Sequence, residues 1–436
     1  MTAVAYAAPR SEWLDFHDHL EILHGGHAAD LAVAYRDSIG WCEKVCTSPD
    51  AAAVLDLLIS RGSETFIGQA GYHGKRRVLR NVETIPALFV DLDYGDTPKY
   101  RRASSIEPVY NDLRKALPSL PEPTLLASSS RNGGYAVWVL NEPLHVDRLP
   151  DWQPVQDTLC RVLKPFGADN RARDATRVLR VPGSRHPSGE TVRYRQVGGT
   201  YSFEALQQAI QALIPEPKVG VTDNKEKPKK AGVRRLLNPY TLAYGRMADL
   251  RSIARSRAPM SDFRKRTLFV FSVCAAWFCP SVDSLTREVE SFAADYFKEP
   301  QRYPAKSIST TRRRFEDAKA GLRIPWNSPR GMVEIDPRYR LRNETIIEWL
   351  GLDDSEMENN RVIIPAHIKQ ERHATAEEQR RRLRGEKERA AYLDEAQRRQ
   401  QLALELVGQG KSATEVAGEL GCSKRRVNQI LKAKGT

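Results

Sequence analysis

Along the first half of the chain, apolar positions switch between two periods. Ser11 to His24 and Ser48 to Ser60 repeat apolar residues every three to four positions, which predicts helices. Thr65 to Gly71 and Thr84 to Asp93 are short bounded apolar runs and predict strands, the second a buried one. A helix is predicted over Ile106 to Leu117. A hairpin follows, from Thr124–Ser129 and Tyr135–Leu140 around Arg131-Asn132-Gly133-Gly134, whose glycines tolerate positive φ. Trp152 to Leu163 reads as a helix, Arg177 to Gln196 as strand-rich, and Phe203 to Leu213 as a closing helix. This order predicts an α+β domain over 1–214.

Residues 215–232 carry prolines and lysines without an aromatic side chain and predict a linker, since such a stretch buries too little surface to offset its ordering entropy. The period then becomes helical throughout. Pro239–Ser256, Ser261–Phe278, Val282–Phe297 and Thr310–Gly321 predict an all-α bundle over 233–330, and 331–370 a small helical element. Residues 371–400 form a charged run with too narrow an apolar stripe for a core, which predicts a solvated helical spacer.

Three short helical patterns close the chain over 401–436: Gln401–Gly408, Ala413–Leu420 and Lys424–Ala433. Leu404, Val416, Ala417, Leu420, Val427, Ile430 and Leu431 supply their apolar face. Gly421 stands at the turn before the third, and Ser423 can cap it. The series resembles a helix-turn-helix module, with Lys424, Arg425, Arg426, Asn428, Gln429 and Lys432 as the residues turned to DNA. Gly410-Lys411-Ser412 ends like a phosphate loop, but that pattern needs glycine where Glu405 stands.

Charge narrows the class of partner. Over 436 residues, 68 Lys and Arg exceed 55 Asp and Glu, a net +13, which points to a polyanion such as nucleic acid. The N-terminal residues lack the pattern of a secretory leader, and the apolar run Thr267–Cys279 is too short to span a bilayer. A cytoplasmic protein with no membrane partner is expected. Cys42 and Cys46, with His17, His19, His24 and His27 upstream, lack paired zinc-ligand spacing and read as thiols and imidazoles on two N-terminal helices.

The sharpest chemical signal is Ala87-Leu88-Phe89-Val90-Asp91-Leu92-Asp93. Two carboxylates two apart on a strand share a face at about 6.6 Å, and such a pair calls for a hard cation such as Mg²⁺ or Mn²⁺. Farther on, Asp169 precedes an arginine-rich stretch with Arg177, Arg180, Pro182-Gly183, Arg185 and His186. Asp174, an alternative acid, reads instead as a partner of Arg171 or Arg177.

In order and spacing these residues resemble the archaeo-eukaryotic primase superfamily, and especially the primase-polymerases of plasmids and phages. Asp91 and Asp93 match its first motif; Asp169, Arg177, Arg180 and Pro182-Gly183 match its third. The second motif's His or Gln falls at Ala136, where Ser130, Arg131 or the amides of Gly133 and Gly134 can stand in. The resemblance implies a primase- or RRM-like antiparallel sheet with flanking helices, and template-directed nucleotidyl transfer as a DNA primase and polymerase. It further implies that Asp91, Asp93 and Asp169 hold two divalent ions while Arg177, Arg180, Arg185 and His186 grip NTP or dNTP. Single-stranded template, double-stranded origin DNA and a separate replicative helicase are the implied partners. Two other readings remain. One is a non-catalytic DNA-binding initiator or regulator with a degenerate primase domain, which Ala136 favours and the retained acids oppose. The other is a haloacid-dehalogenase-like phosphatase, whose nucleophile strand wants Gly-Thr where Tyr94-Gly95 stand.

Overall fold

The computed structural model describes residues 13–214, 239–302, 304–328, 331–383 and 389–432; the expected linker at 215–232 lies outside them. Met1–Ile363 form one compact unit and Ile364–Thr436 a second.

The first unit opens with α1 (Phe16–His24), β1 (Asp30–Asp37), β2 (Gly40–Cys46), α2 (Ser48–Ser60), β3 (Glu64–Tyr72) and β4 (Val82–Leu92). It continues with α3 (Glu107–Ala116), β5 (Leu125–Ser130), β6 (Gly133–His145), α4 (Leu149–Val162), β7 (Val178–Arg180), β8 (Arg193–Gln196) and α5 (Phe203–Ala212). Helix α2 begins where the pattern places it because Thr47 accepts the Asp50 amide and a proline occupies the first turn. Cys42 and Cys46 lie on β2 and not on a helix. The missed signal is the Asp37 turn, in which its carboxylate accepts the amides of Ile39 and Gly40 at 2.8 and 3.0 Å.

All eight strands are antiparallel, in the order β2-β1-β3-β4-β6-β5-β8, with β7 on β3. The sheet splits along β3, whose Phe66–Gly68 pair with β7 while only Gly71 and Tyr72 reach β4. The divergence opens one edge of β4 from Ala87 onward, and its backbone groups need other partners. Helix α4 supplies them. Trp152 Nε1 donates to the Ala87 carbonyl at 2.9 Å, and Gln156 both accepts the Phe89 amide at 3.2 Å and donates to the Phe89 carbonyl at 2.6 Å. Gln156 is fully buried. Gln156→Leu is therefore expected to cost about 2–4 kcal/mol, because it strands two buried backbone groups. A urea melt showing a loss below about 1 kcal/mol would refute this account of the β4 edge.

The helices that follow are α6 (Pro239–Ser256), α7 (Arg264–Ala275), α8 (Val282–Tyr296) and α9 (Pro304–Lys319). They pack on the sheet domain: Glu288 accepts the Leu79 amide at 2.6 Å, Arg80 pairs with Asp295, and the Tyr240 hydroxyl donates to Asp157. A hairpin absent from the helical expectation then appears, β9 (Ile324–Ser328) and β10 (Gly331–Ile335), before α10 (Asn343–Leu350) and α11 (Asp354–Met357).

In the second unit, α12 (Ala366–Leu383) and α13 (Arg389–Gly408) precede α14 (Ala413–Glu419) and α15 (Lys424–Lys432). The first short helix expected at 401–408 is the end of the longer α13. Ala403, Leu406, Val416, Ala417 and Val427 form its small core, and Leu404 is only half-buried. Gly421 turns the chain at φ +60°, and the Ser412–Glu415 capping box starts α14. No helix among the described residues is long and apolar enough to cross a membrane.

Candidate active site

The acids collect where the sheet splits. Asp91 lies near the end of β4 and Asp93 just beyond it. Gly167 to Asp169 run antiparallel along the freed edge: the Asp93 amide donates to the Gly167 carbonyl at 2.9 Å, and the Asp169 amide to the Asp91 carbonyl at 2.8 Å. Backbone pairing thereby brings Asp169, distant in sequence, alongside the strand end that carries Asp91 and Asp93. Gly167 makes the approach possible. Its φ is +95°, and a Cβ there would lie 2.6 Å from Tyr94 Cα.

Crowding of like charge marks the site. Burial, followed by the charge of Asp93, pushes the Asp91 carboxyl up to about 7, while Arg177 and Arg180 pull against the shift. Asp93 is raised by burial and then by Asp169. Asp169 itself turns to its own loop, accepting the Arg171 amide at 2.8 Å and pairing with Arg171 Nε at 3.4 Å. Among the described residues, no group of three or more His, Cys, Asp or Glu side chains converges so as to hold a metal ion. The donor chemistry nevertheless suits Mg²⁺ or Mn²⁺, because all three groups offer oxygen and their mutual repulsion is what a hard cation relieves.

The basic residues are distributed unequally. Arg180 on β7 pairs with Glu64, donates to the Tyr135 hydroxyl at 3.2 Å and lies 5.0 Å from the Phe66 ring. Arg177 pairs with Asp174 at 3.3 Å and donates to the Arg171 carbonyl. Asp174 is buried and also accepts from Thr176, so it faces Arg177 and not the other acids. His186 is half-buried, its imidazole pushed down by burial and then by Arg180, and it contacts Ser188. Arg185 is exposed on the same turn. Ser130 and Arg131 sit at the β5–β6 turn, where the Tyr94 hydroxyl donates to the Arg131 carbonyl at 3.2 Å.

Two expectations about this turn are corrected. Neither Gly133 nor Gly134 takes a positive φ; Gly134 is needed for close approach, since a Cβ would lie 2.4 Å from both the Ala127 carbonyl and Ile106 Cδ1. Ala136 pairs with Val90, and Tyr135 with Asp91. Alternation therefore turns Ala136 to the face away from the acids and Tyr135 towards them. A His or Gln at 136 would enter the core, where Ala136 is 1% exposed. The side chain opposite Asp91 is Tyr135, which the sequence showed only as the start of a hairpin strand. Glu64 was missed as well, since no local pattern announces a pairing 116 residues away.

In the second unit, Lys424, Arg425, Arg426, Asn428 and Gln429 are all exposed on α15 around buried Val427. The side chain of Lys432 lies outside the described residues.

No family model matches the chain. A replication protein from Clostridium perfringens is 28% identical over 291 residues, covering 66% of this chain and 65% of that protein, so the chain spans just under two thirds of its relative's length. Among solved structures, the domain of the cyanophage S-2L primase-polymerase aligns at 19% identity, covering 47% of this chain and 100% of that one, with a TM-score of 0.34. Primase RepB' aligns at 14% identity, covering 66% and 91%, with a TM-score of 0.29. In sequence the chain is thus related to a replication protein, and its motif series resembles that of the archaeo-eukaryotic primase superfamily, of the kind plasmids and phages encode.

Proposed function

We propose that this protein joins nucleotides on a DNA template as a primase and polymerase of a plasmid- or phage-like element, and is brought to DNA by its C-terminal helices. The observation that carries the reading is the backbone pairing of Asp169 with Asp91, which adds a third acid to a strand-end pair beside Arg180. Asp91, Asp93 and Asp169 would hold the divalent ions. Bound Mg²⁺ or Mn²⁺ supplies neutralisation of the triphosphate and a lower pKa for the attacking 3′-hydroxyl. Arg180, braced by Glu64 and Tyr135, provides fixed positive charge beside the acids, and Arg177, Arg185 and His186 extend it towards an incoming NTP or dNTP. Unwinding falls to a separate helicase.

The exposed residues of α15 would read duplex DNA at an origin as the third element of a helix-turn-helix. Arg425→Ala or Gln429→Ala should weaken binding to the recognised duplex by about 1–3 kcal/mol and relax its specificity.

One feature favours the non-catalytic reading: Asp169 is engaged with Arg171. A labelled-nucleotide extension assay on single-stranded DNA, with Mg²⁺ or Mn²⁺ and with or without a primer, separates the two. Metal-dependent incorporation is expected. No incorporation under any of these conditions would leave a DNA-binding initiator.

A further inference from the structure

The β9–β10 hairpin carries an uncovered apolar face. Val333 lies directly across from Trp326 and Ile335 from Ile324, so the four side chains share one side. Trp326 is 51% exposed and Val333 42%. At the base of the hairpin lies a cavity of about 420 Å³, walled by Arg161, Arg173, Lys319, Arg323, Arg338 and Arg340 against two acids, Asp157 and Asp336.

Part of that charge is internally balanced. Arg338 pairs with Asp336 at 2.7 Å and lies 3.5 Å from the Trp277 ring; Arg173 reaches Asp157 at 3.5 Å. No ion pair to Lys319, Arg323 or Arg340 forms among the described residues. Burial, and then the charge of Arg173, pushes the Lys319 ammonium down to about 7. Six basic side chains against two acids leave the cavity wall positive, which an anion would relieve.

The two features adjoin. Arg323 immediately precedes β9, and Trp326 stands two residues beyond the Ile324–Ile335 pair, about 7 Å along the strand. On another wall, Asn170 and Arg173 belong to the loop that carries Asp169. A ligand spanning cavity and ring must offer several anionic groups and a flat π-face set apart from them. An unpaired polynucleotide strand meets this description.

We infer that the hairpin face and the cavity form a grip for single-stranded nucleic acid, with Trp326 stacked on a base and Arg323, Arg340 and Lys319 on backbone phosphates. The inference rests on the reading that this chain works on a nucleic-acid strand. Its test is fluorescence anisotropy of the full chain with a short labelled oligothymidylate in EDTA, so that no divalent ion or acid is involved.

Trp326→Ala should weaken binding about 5- to 100-fold, while Trp326→Phe stays near wild type. An abasic strand of equal length should bind the wild type and Trp326→Ala alike. Arg323→Glu with Arg340→Glu should lower both affinity and the salt dependence, the latter by about 1.4 or more in log–log slope. Circular dichroism melts of these exposed-residue variants should match the wild type. Inorganic tripolyphosphate should compete far more weakly than the unlabelled strand. Oligothymidylate affinity within twofold of wild type in Trp326→Ala would overturn the inference, as would an equal loss for the abasic strand. Displacement by tripolyphosphate at strand-like concentrations would overturn it in favour of a free triphosphate site. Loss of nucleotide incorporation with intact Trp326-dependent binding would count against the polymerase reading alone.

Discussion

Replacing Asp91 and Asp93 together by Asn is expected to abolish nucleotide incorporation, by at least about a thousandfold, while leaving the fold and duplex binding in place. The substitution keeps the shape of both side chains and removes the negative charge that attracts the divalent ions, a contribution worth several kcal/mol. A second readout follows from the raised carboxyl of Asp91. Its cost to the fold is absent below the ordinary carboxylate value of 3.8, grows as pH rises, and is complete above about 7. That shift corresponds to at most about 4 kcal/mol, and to nearer 1–2 kcal/mol once solvent at this half-buried position screens it. In EDTA the Asp91→Asn protein should therefore melt higher than wild type at pH 8 and alike at low pH. Added Mn²⁺ should raise the melting temperature of the wild type and not of the double variant. Comparable primer extension by the double variant would show that the reacting metals, if any, are held elsewhere.

Gly167→Ala is expected to be nearly as damaging, although Gly167 touches no reactant. Alanine at φ +95° is strained, and its Cβ would press on Tyr94 Cα, a backbone atom that cannot swing aside. The two effects together should cost about 3–5 kcal/mol of stability. Relief by moving the loop would draw Asp169 away from Asp91, and a displacement of about 1 Å at such a site costs about a hundredfold in rate. Melts and extension assays on the same preparation test both parts. A variant that loses less than about 1 kcal/mol and keeps full extension would mean that Asp169 does not depend on this contact.

Local pattern determined much of this protein. The acid pair at the end of an apolar run, the helix at Ser48–Ser60, the closing helix near Phe203 and the basic last helix all rest on signals confined to a few neighbouring residues: a period, a cap or a charge. The resemblance of the motif series was legible for the same reason. Two of the hairpins were harder, although the one at β5–β6 was legible from its turn. The turn at Asp37 and the strands at 324–335 carry weak signals, and helical neighbours drew their residues into a helical reading.

What the tertiary structure alone decided is the environment of the acids. Asp91 acquires a raised carboxyl because packing buries it and sets it beside Asp93 and Asp169 at the edge where β3 leaves β4 for β7, a property of strand pairing that no single segment contains. Tyr135 faces the acids while Ala136 does not because register sets which residues share a side, and a shift of one residue reverses it. Arg180 meets Glu64, and Asp169 meets Asp91, across long stretches of chain. Charge and periodicity are local, and the sequence displays them. Whether a carboxylate is crowded or an arginine already paired depends on distances that exist only after the chain has packed.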